Sequence, residues 1–244
     1  MKIISSQIFE RFDNLIFGMS AKIVSASDNF SNNMSLSIND DPERVLKNRK
    51  TFFENLGLQI ENVAYQKQIH GDKISYVTEG GFAGQSDALT TDKTNLGIAI
   101  STADCVAVFI YDVKEKVIAG IHSGWRGTEL KIVRKSLKYL NSKFNSQSEN
   151  LNVYLAPSIS QRNYEVGREV AIKFKEKYIL RLNGKMFLDV AQINYDALID
   201  FGIPAGQIEK SELCSFDTQY LHSYRRDGKN SGRAFAMLAM RGKY

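Results

Sequence analysis

Two apolar, β-rich runs, Val106–Tyr111 and Val117–Ile121, flank a short polar turn at residues 113–116. Runs of this length bounded by a turn predict an antiparallel strand pair. Leu96–Ser101 is a further β-rich run, Leu151–Leu155 a short one, and Ala234–Met240 reads as a last buried strand. Between them lie helical patterns. Pro42–Leu56 follows an Asp-Asp pair and carries Val45, Leu46, Phe52 and Phe53, which predicts a capped helix. A second helix is expected after Gly127, with Thr128 as N-cap and Ile132, Val133, Leu137, Leu140 and Phe144 along one face. Others are expected near Glu165–Tyr178 and Val190–Phe201, the latter stopped by Gly202 and Pro204. No regular strand–helix alternation appears, so a doubly wound sheet is not expected. A chain of 244 residues, 43% hydrophobic, with three prolines and no low-complexity tract, suits one compact domain over residues 1–244.

Charge and cysteine usage narrow the function classes. The formal charge of +5 is spread thinly, and its densest run, Lys131–Lys143, falls on a helical pattern. A solvated helix face is the expected outcome, with no nucleic-acid stripe. A mild positive field still favours anionic substrates such as phosphate. Two cysteines form no disulfide framework. No apolar run approaches membrane-spanning length, and the N-terminus shows no signal-peptide apolar core. The expectation is a cytoplasmic protein without membrane or nucleic-acid partners.

The chemistry-bearing residues are few and clustered at strand ends. His70 follows the alternating stretch Val63–Ile69, Cys105 stands where a strand begins, and His122 ends one. Two imidazoles and a thiolate are a ligand set for zinc or copper, and three protein ligands leave a position open for chemistry. Each residue alone also fits a plain structural role: Cys105 as a small buried hydrophobe, the histidines as turn or interior groups. Asp72 and Asp104 neighbour the ligands in sequence and are candidates to receive a histidine N–H. Asp87 follows a glycine-rich stretch (Gly80, Gly81, Gly84) that lacks the pattern of a dinucleotide loop. Arg126 stands between Gly124 and Gly127, where a guanidinium fork suits phosphate or carboxylate, or else a surface ion pair. Arg225, Arg226 and Arg233 cluster around a turn that is either a solvated loop or the rest of an anion pocket.

Several segments in this order resemble the YfiH family, also called the laccase-domain or polyphenol oxidase-like family. They are Asn33-Met-Ser-Leu, Asp40-Asp-Pro-Glu-Arg-Val with Asn48-Arg49, Gln68-Ile-His-Gly and Ser86-Asp-Ala-Leu-Thr-Thr. Thr102-Ala-Asp-Cys, His122-Ser-Gly-Trp-Arg-Gly, Tyr164-Glu-Val-Gly, Ser223-Tyr-Arg-Arg-Asp-Gly and Ser231-Gly-Arg continue the likeness. The resemblance implies an α/β fold, a single compact domain with mixed β-sheets flanked by helices, grouped with cysteine hydrolases. It implies zinc on His70, Cys105 and His122, with copper as the older alternative. It also implies phosphorolysis of adenosine, inosine, guanosine and methylthioadenosine, with adenosine deamination besides. Purine nucleosides and phosphate are then the expected partners. Arg126 and Asp104 join the metal ligands as catalytic candidates; Asn33, Arg49, Asp87, Arg225 and Arg233 are substrate-binding candidates. The chain departs from the commoner family pattern at Ser123 (usually Ala), Val106 (often Pro) and Ser158 (a Cys in Pro-Cys-Ile-Gly).

Zinc with three ligands lowers the pKa of water to about 7, which suits attack on C6 of adenine. Phosphorolysis asks for guanidinium groups below the ribose C1′, supplied by Arg126 with one of Arg49, Arg225 or Arg233. A multicopper oxidase is excluded by arithmetic: a type 1 site takes two histidines, and the chain has only three. A Cys–His hydrolase is the other rival, with Cys105 as nucleophile and His122 or His70 as base. Some family members edit a peptidoglycan precursor, which gives that rival a substrate class.

Overall fold

The run Val106–Asp112 is buried at every position, and its alternate residues serve two different cores. That pattern makes it a central strand covered on both faces, which is why it reads as a continuous apolar run. The computed structural model describes residues 2–23 and 30–242. In chain order its first strands are β1 (Ile3–Ile4), β2 (Leu15–Ser20), β3 (Val63–Lys67), β4 (Ile74–Tyr76) and β5 (Gly81–Gln85). Then come β6 (Ala88–Thr91), β7 (Gly97–Thr102), β8 (Val106–Asp112), β9 (Val117–Ser123) and β10 (Leu151–Leu155). The last are β11 (Glu165–Val166), β12 (Ile179–Leu182), β13 (Lys185–Leu188), β14 (Ile208–Lys210) and β15 (Ala234–Met240). The helices are α1 (Pro42–Asn55), α2 (Trp125–Glu129), α3 (Ile132–Phe144), α4 (Arg168–Ala171), α5 (Val190–Ile199) and α6 (Tyr224–Asp227).

Among the described residues the strands form two six-stranded sheets and one three-stranded sheet. The first runs β1-β2-β15-β7-β3-β5, antiparallel as far as β7 and parallel beyond it. The second runs β14-β10-β8-β9-β6-β4, antiparallel in the middle and parallel at both edges. Their inner faces meet in one core, where Ile98, Ile100, Ala236 and Leu238 face Ala107, Phe109, Tyr111 and Ile118. The outer face of the second sheet carries Val108, Ile110 and Ala119 and is covered by Ile132, Val133, Leu137 and Leu140 of α3. The outer face of the first sheet carries Ala99, Phe235 and Met237 and is covered by Phe52 and Phe53 of α1. The result is a mixed α/β domain with two sheets between helical layers.

The expected strands and the helices α1, α3 and α5 form where the sequence places them. In α1 the Asp41 side chain accepts from the Glu43 N–H and Pro42 takes the first helical position, as the Asp-Asp-Pro run implies. Leu46 is the exception on its apolar stripe and stays 46% exposed. Two expectations are corrected. Helix α2 starts at Trp125 after Gly124, so Thr128 lies inside it; the Thr128 hydroxyl is engaged with Ser123 and Asn194 and caps nothing. The chain then turns at Lys131 (φ 62°) before α3 begins. The second correction is at Glu165–Tyr178, where Glu165 and Val166 pair with β13 and only Arg168–Ala171 is α-helical. Sheet pairing there overrides the weak helical pattern.

His222 is buried, and neither ring nitrogen makes a well-formed hydrogen bond among the described residues, the Asn32 main chain lending only partial support. Burial pushes its pKa down from 6.5 to about 4, and Lys22 adds to the shift. Above pH 6.5 both the folded and unfolded chains hold it neutral. As pH falls from 6.5 towards 4 the unfolded chain takes a proton that the fold refuses, so stability drops, levelling off below that window. Denaturant unfolding at about pH 7 and about pH 4.5 should show wild type losing about 2 kcal/mol more than His222→Gln. Equal losses would assign the acid sensitivity to other groups.

Candidate metal centre and its cavity

The two sheets end together at one edge of the sandwich, and the site is built there. β3 and β7 run parallel, so the turn after β3 and the loop after β7 emerge side by side. β8 begins and β9 ends at the same edge, with Ala107 paired to His122. Strand alternation carries His122 to the inner face shared with Ile118 and Gly120. His70 comes from the turn after β3 and Cys105 from the loop between β7 and β8. The donor atoms of His70, Cys105 and His122 all lie within 4.8 Å of one another. The two imidazole rings stand 4.8 Å apart, nearly perpendicular at 87°.

One carboxylate holds this arrangement. Asp87 is fully buried, immediately before β6. It accepts from the main-chain N–H of Ile69 (3.2 Å), His70 (3.0 Å) and Gly71 (2.7 Å). Its Oδ1 also lies 2.9 Å from His122 Nδ1. The bond assigns the proton to Nδ1 and leaves Nε2 free for a metal. Burial works against the Asp87 charge, yet the His122 bond and the Gly71 and Ile69 N–H groups outweigh it and hold the carboxyl below its usual range. His70 itself sits at φ 57°, a left-handed conformation that the three N–H bonds to Asp87 sustain.

The centre sets an ionisable thiol against an imidazole that holds its proton, so a metal would bind in exchange for the His122 proton. Burial opposes a Cys105 thiolate, but His122 and His70 beside it bring the thiol well below its ordinary value. Burial likewise opposes an imidazolium at His122, while Cys105 and Asp87 hold that ring's pKa up. Gly124 makes room for the sulfur: a Cβ there would stand 2.9 Å from Cys105 Sγ and 3.4 Å from His70 Cδ2. Two imidazoles, one held by a carboxylate, and an ionisable thiol fit a borderline-soft divalent ion with one position left open. They are the only such cluster among the described residues, and His222 lies elsewhere, packed against Gly232. A multicopper assembly therefore has no further imidazole to draw on.

The three ligands open onto a cavity of about 670 Å³, within the range of small-molecule sites. Arg126 is exposed at its wall, its guanidinium 4.4 Å from the centre of the Trp125 ring. Arg225 lies over Tyr164 at 5.0 Å, and Arg233 over Tyr224 at 5.3 Å. Arg49 lines another wall and is only 4% exposed. Asp104 also lines the cavity, but both its oxygens are taken, by the Ser215 hydroxyl and the Arg225 main-chain N–H, each at 2.6 Å. It ties the ligand loop to the arginine-bearing turn. Asn33 and Asp87 lie outside the lining. The Asn33 amide is committed to Ser35 and Asp40, and its oxygen accepts from Ser35 and Arg233. Asp72, the other sequence neighbour of a ligand, pairs with Lys135 on the surface.

Tyr164, Tyr224, Gln66 and Phe235 also line the cavity and were not singled out by the sequence reading. Tyr164 and Tyr224 fall inside the matched motifs, which is the one signal that pointed to them. Burial, with the Cys105 charge nearby, pushes the Tyr164 hydroxyl up to about 12, so it stays a hydrogen-bond donor.

These features define a mixed α/β protein with a metal-capable site at the edge of a two-sheet sandwich. The chain belongs to the family described as multi-copper polyphenol oxidoreductase laccase, whose pattern matches residues 16–241. Among curated relatives it is 32% identical over 217 residues to a purine nucleoside phosphorylase of Bacteroides thetaiotaomicron, covering 80% of this chain and 79% of that one. It is 30% identical over 218 residues to an adenosine deaminase of an unknown prokaryotic organism, covering 81% and 82%. The structure superposes on the hypothetical protein YfiH of Bacillus licheniformis with a TM-score of 0.89, at 27% identity and 95% coverage of both chains. It superposes on YlmD of Geobacillus stearothermophilus with the same TM-score, at 25% identity, covering 97% of this chain and 94% of that one.

Asp87→Asn keeps the size of the side chain but removes the charge and one acceptor oxygen. Competition with a chelating dye should show divalent-metal affinity reduced about 10–100-fold, with the melting curve still cooperative. Unchanged affinity would mean that the ligands need no help from Asp87.

Proposed function

We propose that this protein is a zinc-dependent purine nucleoside phosphorylase with adenosine deaminase activity. The observation that carries the reading is a three-ligand His-Cys-His site opening onto an arginine-walled cavity. The names of the relatives point the same way, to phosphorylases and to a deaminase. His70, Cys105 and His122 would hold the ion. When bound, zinc supplies Lewis-acid activation of water or of a substrate acceptor atom.

The chain's own residues do the rest. In phosphorolysis a phosphate oxygen forms a bond to C1′ as the C1′–N9 bond breaks. The base leaves with the proton that the attacking hydrogen phosphate gives up, giving free base and ribose 1-phosphate. The arginines lower the energy of bringing the phosphate oxyanion against the sugar. Tyr164 offers a hydroxyl donor to the substrate, and Trp125 gives flat apolar surface suited to a purine ring. Adenosine, inosine, guanosine and methylthioadenosine share the ring and the C1′–N9 bond this chemistry needs. A reducing compartment such as the cytoplasm suits a site whose thiol must stay unoxidised.

A second reading has one observation in its favour. Cys105 lies beside two imidazoles, the arrangement of a thiolate nucleophile and its base. Metal content separates the two, because a ligated thiolate is no nucleophile.

Metal-analysed protein incubated with adenosine and inosine, with and without phosphate, decides the matter by chromatography of the products. Free base and ribose 1-phosphate are expected only with phosphate, and conversion of adenosine to inosine in either case. Cys105→Ala should lose the ion, about one per chain, and both activities. Base release that persists in a zinc-free Cys105→Ala protein would sink the reading.

A further inference from the structure

Arg49 is an anomaly of electrostatics. Its side chain projects from α1 and is buried between the rings of Tyr65 and Phe235, 4.6 and 4.7 Å from their centres. Nε donates to the Met34 carbonyl at 2.7 Å, whereas Nη1 is buried with no partner. No carboxylate pairs with it among the described residues, and burial pulls its pKa down. Aromatic faces offset part of the cost of burying a cation, but a desolvated guanidinium is ordinarily matched by an anion.

A second unpartnered donor lines the same cavity. Gln66 accepts from the Ser86 hydroxyl through Oε1 at 2.7 Å, while its Nε2 is buried without a partner. The pairing of β3 with β5 shifts register between Tyr65 and Lys67, where Ala83 and Gly84 of β5 together stand opposite Gln66. Buried donors without acceptors are rare, and two among the residues lining one cavity call for a ligand rich in acceptor oxygens.

We infer that Arg49 and Gln66 form an oxyanion subsite that takes the phosphoryl oxygens of the phosphate co-substrate. The choice of phosphate as the anion rests on the phosphorylase reading; the subsite itself rests on the two donors. A subsite set apart from the metal would make chemical sense. C6, where deamination occurs, and C1′, where phosphate attacks, lie on opposite sides of the purine. A phosphate directly beside the ion would occupy the place of the base. Arg126 and Arg225 are exposed and draw anions to the mouth, whereas Arg49 holds the oxyanion in a desolvated contact, where charge-assisted bonds are strongest.

Titration calorimetry of inorganic phosphate alone into zinc-loaded protein tests this. Wild type should bind phosphate, and Arg49→Met should weaken binding at least about tenfold, more than Arg126→Ala does. Gln66→Glu guards against a folding defect in Arg49→Met: it keeps the acceptor for Ser86 but sets a carboxylate against the oxyanion, and should also lose phosphate while retaining zinc. Adenosine 5′-monophosphate provides a second arm. Competition with phosphate that Arg49→Met abolishes would assign the subsite to phosphoryl groups carried by nucleotides as well. Phosphate binding as tight as wild type in both Arg49→Met and Gln66→Glu would overturn the proposal, as would a larger loss in Arg126→Ala. Wild type that binds phosphate through Arg49 yet releases no base from any purine nucleoside would leave the subsite standing and the phosphorylase reading fallen.

Discussion

The site depends on a single buried carboxylate. Asp87 joins the turn that carries His70 to the strand that carries His122, through three main-chain N–H groups and one ring nitrogen. Such a charge is tolerable in the interior only because every lone pair facing protein is matched. The consequence is geometric. Two ligands from sequence positions 52 residues apart, counted from 70 to 122, are referenced to the same two oxygens, so they cannot drift independently. A metal site with few ligands gains most from this, because each misplaced donor removes a large share of its affinity.

The sandwich explains why the carboxylate can be there at all. β6 pairs antiparallel with β9 in a register that sets Ala88 against Ile121, so the next pair outward is Asp87 against His122. The main-chain bond from the His122 N–H to the Asp87 carbonyl, 2.7 Å, continues that ladder. The two residues are thus neighbours by sheet register, fixed by the same apolar alternation that fills the core between the sheets. A slip of one residue would move His122 to the helix-covered face and dissolve the site along with the packing.

How much of this was legible follows from the range of each interaction. The strands Val106–Asp112, Val117–Ser123 and Ala234–Met240 announce themselves through local apolar runs, and α1 through its cap and apolar spacing. The three metal-capable residues were also legible, because strand ends are natural places for convergence. Asp87 was not assigned its role. Sequence adjacency pointed to Asp72 and Asp104 as partners of the ligands, and both are engaged elsewhere. The pairing that matters is cross-strand, and a single sequence does not state register. The start of α2 was misplaced for a similar reason: Thr128 looks like a cap in sequence, but its hydroxyl is claimed by Asn194 from α5, 66 residues away.

Asp87 and Arg49 are opposite cases of one rule. Both are charged groups removed from water; Asp87 has its acceptor oxygens matched inside the chain, whereas Arg49 keeps one nitrogen, Nη1, without a partner. A fully satisfied carboxylate rigidifies what surrounds it, which is what ligand placement requires. A guanidinium left with a bare nitrogen is costly to bury despite its Met34 bond and aromatic contacts, and an apolar side chain of similar volume would serve the fold at least as well. Its place in the lining of a cavity that also holds the metal-capable trio is therefore an argument about function. The fold carries the expense of an uncompensated cation where an anion can enter and leave, and fully compensates the charge that must never move.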